Sequence, residues 1–133
     1  MQGLAMKIRT AALCIPLAAL GLMLAAAPAR AASDPKLGAD LFSEHCAECH
    51  SVKDGKNKKG PSLFAIVGRK SAAIGDFAYS DALKASGIGW TADQLDAYLA
   101  QPKKLVPGGK MKYDGLPEAK DRADLIAYLA TVR

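Results

Sequence analysis

The chain has 133 residues, a formal charge of +5 and 50% hydrophobic residues. This length leaves little room for a second full-size domain, and the hydrophobic content is typical of a globular protein rather than a disordered one. The positive charge is unevenly placed, because residues 32–133 hold 15 basic and 13 acidic residues, a net charge of only +2. A net charge this small does not suggest a nucleic-acid-binding protein, which would need a concentrated basic face. Three cysteines are too few for a disulfide-rich scaffold.

The N-terminal segment has the pattern of a secretory signal peptide. Two basic residues, Lys7 and Arg9, precede an uncharged apolar run over residues 11–27, and an A-x-A cleavage sequence follows. We therefore expect residues 1–31 to be cleaved, residues 32–133 to form one domain, and the protein to be periplasmic. The apolar run also reaches the short end of a membrane-spanning helix, about 17–25 residues. An uncleaved membrane anchor is the alternative.

The first predicted helix begins directly after this segment. Asp34 is a suitable N-cap and Pro35 suits the first helical position, which predicts a helix over residues 35–47. Gly38 and Phe42 then lie one turn apart on the same face of that helix. A polar loop rich in glycine and lysine separates this helix from the next element.

Three further helices are predicted in the second half of the chain. Ser80 caps a helix of about two turns, and Thr91 with Gln94 forms a capping box before a longer helix. Proline and glycine residues throughout residues 102–117 predict an irregular segment, and an apolar pattern predicts a last helix over residues 118–131. Because no alternating strand pattern reaches strand length, the predicted fold class is all-α with long loops.

The residues that point to chemistry are Cys46, Cys49 and His50, which form a C-x-x-C-H motif. Two thiols at this spacing can each add to a vinyl group of haem, and the adjacent histidine then ligates the iron from the proximal side. A redox dithiol would need a βαβ pattern that the sequence lacks. A zinc site would need His45 as a fourth ligand, and all four ligands would then be crowded into six consecutive positions. The motif therefore favours covalently bound haem c over a redox dithiol, a zinc site or an incidental C-x-x-C-H at a helix end.

The candidate for the second axial iron ligand is Met111, the only methionine after residue 31. It follows a Pro-Gly-Gly-Lys sequence and is flanked by lysines, which is a poor place for a core methionine. His45 is a weak rival, because it adjoins Cys46 and cannot reach the opposite side of the porphyrin. A methionine–histidine pair is the ligation that raises the haem potential. One bound haem would also enlarge a core that is short of aromatic side chains.

Together these motifs resemble the class I c-type cytochromes, the family of mitochondrial cytochrome c and its soluble bacterial relatives. The matching segments run in order through nearly all of the chain after residue 38. They read CAECH, GPSLFAIVGRK, FAYSDAL, GIGWT, YLAQPKKLVPGGKM and RADLIAYL. The resemblance implies a cytochrome c fold, with three main helices plus short helices and long loops around one haem. It also implies electron transfer rather than enzymatic activity.

The resemblance further implies roles for residues of the haem pocket. The Pro61 carbonyl should accept a hydrogen bond from the His50 ring, and the Tyr98 hydroxyl should face the Met111 sulfur. Three other side chains should lie near a haem propionate: Arg69, Tyr79 and Trp90.

The resemblance also implies how the first and last helices cross, with Gly38 and Phe42 meeting Tyr128. Two positions depart from the mitochondrial pattern. Leu83 stands where relatives often have asparagine, and Gly109 stands where they often have threonine. We expect the overall ligation to survive both departures.

The function implied by the resemblance is that of a monomeric single-electron carrier. Its partners would be a quinol-oxidising cytochrome bc complex as donor and a terminal oxidase or a photosynthetic reaction centre as acceptor. A lysine-rich face near the haem edge would dock these membrane complexes. Its lysines are Lys53, Lys56, Lys58, Lys59, Lys103, Lys104, Lys110 and Lys112. Alternatives are a dedicated electron-accepting haem subunit of a periplasmic dehydrogenase, or a small haem peroxidase or gas-binding protein.

Overall fold

The computed structural model describes residues 32–133. The expected signal peptide or membrane anchor, residues 1–31, lies outside this range. The described residues form five helices. They are α1 (Pro35–His45), α2 (Asp81–Ala85), α3 (Ala92–Ala100), α4 (Pro102–Leu105) and α5 (Ala119–Thr131).

The predicted all-α class is confirmed. Residues 32–133 contain no strand, and their one isolated β-bridge joins Lys70 to Gly89. Within the same range, no helix combines the length and the apolar character that crossing a membrane requires. Three long helices, two short ones and extended loops match the expected architecture.

Side-chain caps start the helices where the sequence predicts. The Asp34 carboxylate accepts from the amide of Lys36 at 2.8 Å, and the Thr91 hydroxyl accepts from the amide of Gln94 at 3.2 Å. Ser80 caps α2 in the same way. Each cap accepts an amide hydrogen that the first helical turn leaves without a carbonyl partner. α2 is only five residues long, shorter than predicted, and α1 ends at His45 rather than at residue 47.

The prediction of an irregular segment over residues 102–117 is wrong at its beginning. Pro102–Leu105 forms the helical turn α4, closed by a 3.0 Å bond from the amide of Val106 to the carbonyl of Pro102. Proline suits the first position of a helix, because its missing N–H has no partner there in any case. Pro102 therefore ends one helix and begins the next.

α1 and α5 cross closely at Gly38. A Cβ atom at this position would lie 2.0 Å from the Asp124 carbonyl oxygen and 2.8 Å from the Tyr128 Cβ. The rings of Phe42 and Tyr128 pack beside the crossing, with centroids 5.6 Å apart. The expected meeting of the first and last helices is present, and only glycine fits at its centre.

A buried carboxylate ties the start of α1 to α5. Asp124 is 2% exposed and accepts from the Asp34 amide at 2.7 Å and from the Lys120 ammonium at 2.6 and 2.7 Å. These bonds to Lys120 and Asp34 hold the pKa of Asp124 below its usual value.

The hydrophobic core lies between α1, α3 and α5. Eight buried side chains form it: Phe42, Ile66, Trp90, Leu95, Leu99, Leu116, Leu125 and Leu129. Cys46, Tyr98 and Tyr113 are half-buried at its margin. The C-x-x-C-H turn and the segment after Met111 thus meet at the edge of the core.

Candidate haem site

The C-x-x-C-H motif forms a tight turn at the end of α1. The amides of Cys49 and His50 both donate to the carbonyl of Cys46, at 3.0 and 2.8 Å. This turn holds the two thiols and the imidazole close together. Both cysteines are free thiols. Burial and the nearby Cys49 raise the pKa of Cys46 to about 11, which keeps its sulfur protonated at neutral pH.

The His50 ring is held in one tautomer. Its Nδ1 lies 2.7 Å from the Pro61 carbonyl oxygen, which can only accept, so Nδ1 carries the proton and Nε2 keeps its lone pair. Burial lowers the pKa of His50, the bond to Pro61 opposes this shift, and Lys58 adds to it. The outcome is a neutral imidazole whose Nε2 is available as a metal ligand.

Gly60 makes room for this ring. A Cβ atom at Gly60 would lie 2.4 Å from His50 Cε1, 2.8 Å from Nδ1 and 2.9 Å from Nε2. The Gly60 amide also donates to the carbonyl of Cys49 at 2.8 Å. The loop that carries Pro61 is therefore bonded to the motif itself, and the ring is enclosed between the two.

Met111 is half-buried, and its sulfur faces Tyr98 as the resemblance implies. The Tyr98 hydroxyl donates to the Met111 sulfur over 3.9 Å. Burial raises the pKa of Tyr98, so the hydroxyl keeps its proton and remains a donor. The Tyr98 ring packs against Trp90, with centroids 4.9 Å apart. This contact orients the hydroxyl toward the Met111 loop.

A backbone hydrogen bond links two of the three residues expected near a propionate, and the third lies close enough to influence the charge of Arg69. The Trp90 amide donates to the Arg69 carbonyl at 2.8 Å, and both Trp90 and Tyr79 are buried. Burial lowers the pKa of Arg69, and the neighbouring Tyr79 opposes this effect. Arg69 also has a task that the sequence does not reveal, because its guanidinium donates to the carbonyls of Phe64 and Ser62 at 2.7 and 2.8 Å.

Sequence reasoning missed a polar group behind His50. Asn57 accepts from the Ser62 amide at 2.9 Å and donates to the Asp76 carboxylate at 3.2 Å. Ser62 is 2% exposed, and its hydroxyl donates to the Lys53 carbonyl at 2.6 Å. No sequence signal marks Asn57 or Asp76, since neither has a motif or a regular spacing. The one hint in the sequence is that a small polar residue, Ser62, directly follows Pro61.

The two positions that depart from the mitochondrial pattern are accommodated without strain. Leu83 is half-buried against the core. Gly109 is exposed, and a Cβ atom there would lie 3.1 Å from the Val106 carbonyl oxygen. Threonine would therefore fit at this position only with a small shift.

The residues present fit a covalently bound haem. The donor set combines two neighbouring thiols, a neutral imidazole with a bare Nε2 and a thioether oriented by a hydroxyl. The His50 ring has room beside the loop only because residue 60 is glycine, since a Cβ atom there would overlap the ring.

Comparison with known proteins agrees with this donor set. A family model described as cytochrome c matches residues 35–133. The chain is 53% identical over 100 residues to a cytochrome c of Gibberella zeae, covering 74% of this chain and 94% of that protein. It is 48% identical over 100 residues to cytochrome c2 of Rhodopila globiformis, covering 75% of this chain and 94% of that protein. It is also 48% identical over 105 residues to the cytochrome c-type cyt cy of Rhodobacter capsulatus, covering 79% of this chain and 52% of that protein.

A small all-α fold around a C-x-x-C-H turn defines a class I c-type cytochrome. The chain belongs to the cytochrome c family. It is accordingly a monohaem electron carrier with one covalently bound haem c, and not an enzyme. Its redox partners belong among the membrane complexes that such carriers serve.

Proposed function

We propose that the mature protein carries single electrons in the bacterial periplasm, from a quinol-oxidising cytochrome bc complex to a terminal oxidase or a photosynthetic reaction centre. The observation that carries this proposal is the His50 ring, which is fixed by Pro61 beside two free thiols and keeps Nε2 bare. The signal-peptide pattern of residues 1–31 and the likeness to bacterial cytochromes c2 and cy support the periplasmic location.

In this proposal Cys46 and Cys49 would hold the haem through thioether bonds, and His50 and Met111 would ligate its iron. The bound haem supplies an iron atom that cycles between the ferric and ferrous states. Pro61 fixes the tautomer of His50, and Tyr98 orients the Met111 sulfur. Because the fold holds both ligands in place, little reorganisation accompanies each electron.

The remaining pocket residues serve the propionates. Arg69 supplies a guanidinium, Tyr79 a hydroxyl and Trp90 an indole N–H, and the side chains of Tyr79 and Trp90 are buried. Donors of this kind offset the cost of burying a negatively charged group.

The docking face combines the two lysine-rich segments, 53–59 and 103–112. The first segment contacts the C-x-x-C-H turn, and the second ends next to Tyr113, whose ring lies beside the residue that precedes the motif. The Lys58 ammonium donates to the carbonyl of Ala47 at 2.5 Å, and the Tyr113 ring lies 6.4 Å from that of His45. Ion pairs engage Lys59 with Glu48 and Lys103 with Asp114. Among residues 32–133, five lysines of these segments make neither an ion pair within 4 Å nor a hydrogen bond through the ammonium group: Lys53, Lys56, Lys104, Lys110 and Lys112. These ammonium groups are available to acidic partners.

Absorption spectra of the purified holoprotein test the ligand assignment. The ferric wild-type protein should show the weak far-red band of sulfur–iron ligation. Met111→Ala should lose this band, keep its covalent haem, bind carbon monoxide when reduced and have a lower potential. Lys112→Ala, a substitution in the same loop, is the matched control and should keep the band. A Met111→Ala protein with an unchanged band and potential would show that Met111 is not the ligand.

Cell fractionation tests the location. Expression of the full chain with the cytochrome c maturation machinery should give a periplasmic protein whose N-terminus is Ala32. A membrane-bound protein that retains residues 1–31 would instead support the anchor.

A further inference from the structure

A continuous line of hydrogen bonds runs from the surface to the His50 ring. The Asn57 amide nitrogen donates to the Asp76 carboxylate at 3.2 Å, and the Asn57 carbonyl oxygen accepts from the Ser62 amide at 2.9 Å. That amide belongs to the peptide unit that joins Pro61 to Ser62. The carbonyl of the same unit accepts from His50 Nδ1 at 2.7 Å.

Every bond in this line points the same way. The Asp76 carboxylate can only accept and the Ser62 amide can only donate, so the Asn57 side chain has one orientation that satisfies both. The Pro61 carbonyl can also only accept, so the His50 proton sits on Nδ1. In a chain of this kind each hydrogen bond polarises the next, because the N–H and C=O of one amide group share their electrons. Negative charge at Asp76 therefore draws the His50 proton more strongly toward Pro61.

The peptide unit does not depend on Asn57 for its position. The Ser62 carbonyl accepts from Arg69 at 2.8 Å, and the Ser62 hydroxyl donates to the Lys53 carbonyl at 2.6 Å and accepts from the Phe64 amide at 3.1 Å. Loss of the Asn57 bond leaves these contacts in place. Of the contacts around Ser62, the bond to Asn57 is thus the one that polarises the Pro61 carbonyl, because it acts on the N–H of the same peptide unit.

We propose that Asn57 and Asp76 are positioning residues that set the electron-donor strength of His50 through the Pro61–Ser62 peptide unit. This inference rests on the proposed role of His50 as an axial ligand. A proton drawn toward Pro61 gives the ring more imidazolate character and makes Nε2 a stronger donor to iron, which favours the ferric state. The Asn57–Asp76 pair consequently lowers the reduction potential below the value that the Pro61 bond alone would set.

The experiment measures the redox equilibrium of the holoprotein against a reference carrier of known potential, at high ionic strength. Asn57→Leu removes the acceptor at nearly constant volume and should shift the equilibrium toward the ferrous state by about two- to fivefold, the effect of altering part of one hydrogen bond. Asp76→Asn should give a smaller shift in the same direction. Asp54→Asn removes an equal charge from the neighbouring lysine-rich loop and measures the through-space effect alone.

The double variant decides between a bonded line and a simple charge effect. If the line is real, Asp76→Asn should have no further effect in the Asn57→Leu protein, whereas Asp54→Asn should add fully. Equal shifts from Asp76→Asn with and without Asn57 would overturn the proposal, as would a potential that Asn57→Leu does not change.

Nuclear magnetic resonance of the ferrous protein separates this proposal from the proposed ligation. His50 ring protons displaced upfield by the porphyrin ring current are expected in every variant, and the Nδ1 proton should move upfield in Asn57→Leu as its hydrogen bond weakens. Absence of the ring-current shift in the wild-type protein would refute the ligation by His50. If the ring-current shift is present but Asn57→Leu changes neither the Nδ1 proton shift nor the potential, the proposed role of Asn57 and Asp76 is refuted and the ligation by His50 is not.

Discussion

Gly38→Ala tests whether the close crossing of α1 and α5 stabilises the domain. The new Cβ would lie 2.0 Å from the Asp124 carbonyl oxygen and 2.6 Å from its carbonyl carbon, whereas ordinary contact begins at 3.4 Å. Both atoms belong to the backbone of α5 and cannot rotate away. The two helices would have to separate by about 1.4 Å, the difference between ordinary contact at 3.4 Å and the 2.0 Å approach.

The expected loss of stability follows from three contributions. Alanine in place of glycine inside a helix stabilises it by about 1 kcal/mol. Overpacking costs about 1–3 kcal/mol, here at the upper end because the clash is with backbone. Separation of the helices also loosens the contact between Phe42 and Tyr128. The stability lost in this way is a fraction of the about 3–5 kcal/mol that removing a buried phenylalanine side chain costs. The net destabilisation should be about 2–4 kcal/mol.

Guanidinium unfolding of the ferric holoprotein, followed by circular dichroism, measures this loss. Gly75→Ala is the control, because a Cβ at Gly75 meets no heavy atom within 4 Å. The control should lie within about 0.5 kcal/mol of the wild type. If Gly38→Ala unfolds at the same denaturant concentration as the control, the crossing does not depend on glycine and the reasoning is refuted.

Three further predictions concern the haem site, acid stability and docking. Gly60→Ala should displace the His50 ring and lower the yield of six-coordinate haem severalfold, which ferric spectra measure; a normal spectrum would contradict this. Asp124 has a lowered pKa in the folded protein, so its stabilising effect is complete above the unfolded pKa of about 3.9 and is lost as pH falls through the folded value. Asp124→Asn should therefore unfold more easily at pH 7 and depend less on pH below about 4. Lys104→Glu should slow electron transfer to a membrane partner about tenfold at low salt and have little effect at high salt, and a rate independent of salt in the wild type would exclude steering.

The local sequence was sufficient to predict where α1, α2 and α3 begin and what chemistry the motif performs. Asp34, Ser80 and Thr91 cap helices with bonds to amides two or three residues away, so the local sequence contains both partners of each bond. The spacing of Cys46, Cys49 and His50 likewise lies within one turn. The resemblance to class I c-type cytochromes then supplied contacts that the local pattern could not, such as Pro61 with His50.

Other features depended on which distant residues the fold brings together. Pro102 predicts the end of one helix, but the helical turn that it begins was missed, because a proline at a first helical position and one in a loop look alike in sequence. Asp124 also accepts from the amide of Asp34, 90 positions away, and nothing near either residue predicts this bond.

The tertiary structure alone decided how the His50 ring is held from behind. Asn57 and Asp76 are 19 positions apart and belong to different loops, and they meet only because the backbone between them folds back on the domain. Loops of this kind are fixed by single hydrogen bonds from side chains to particular backbone groups, and such bonds leave no periodic pattern in the sequence. The motif therefore determined that a haem is bound, whereas the position of one peptide unit behind His50 could be known only from the folded chain.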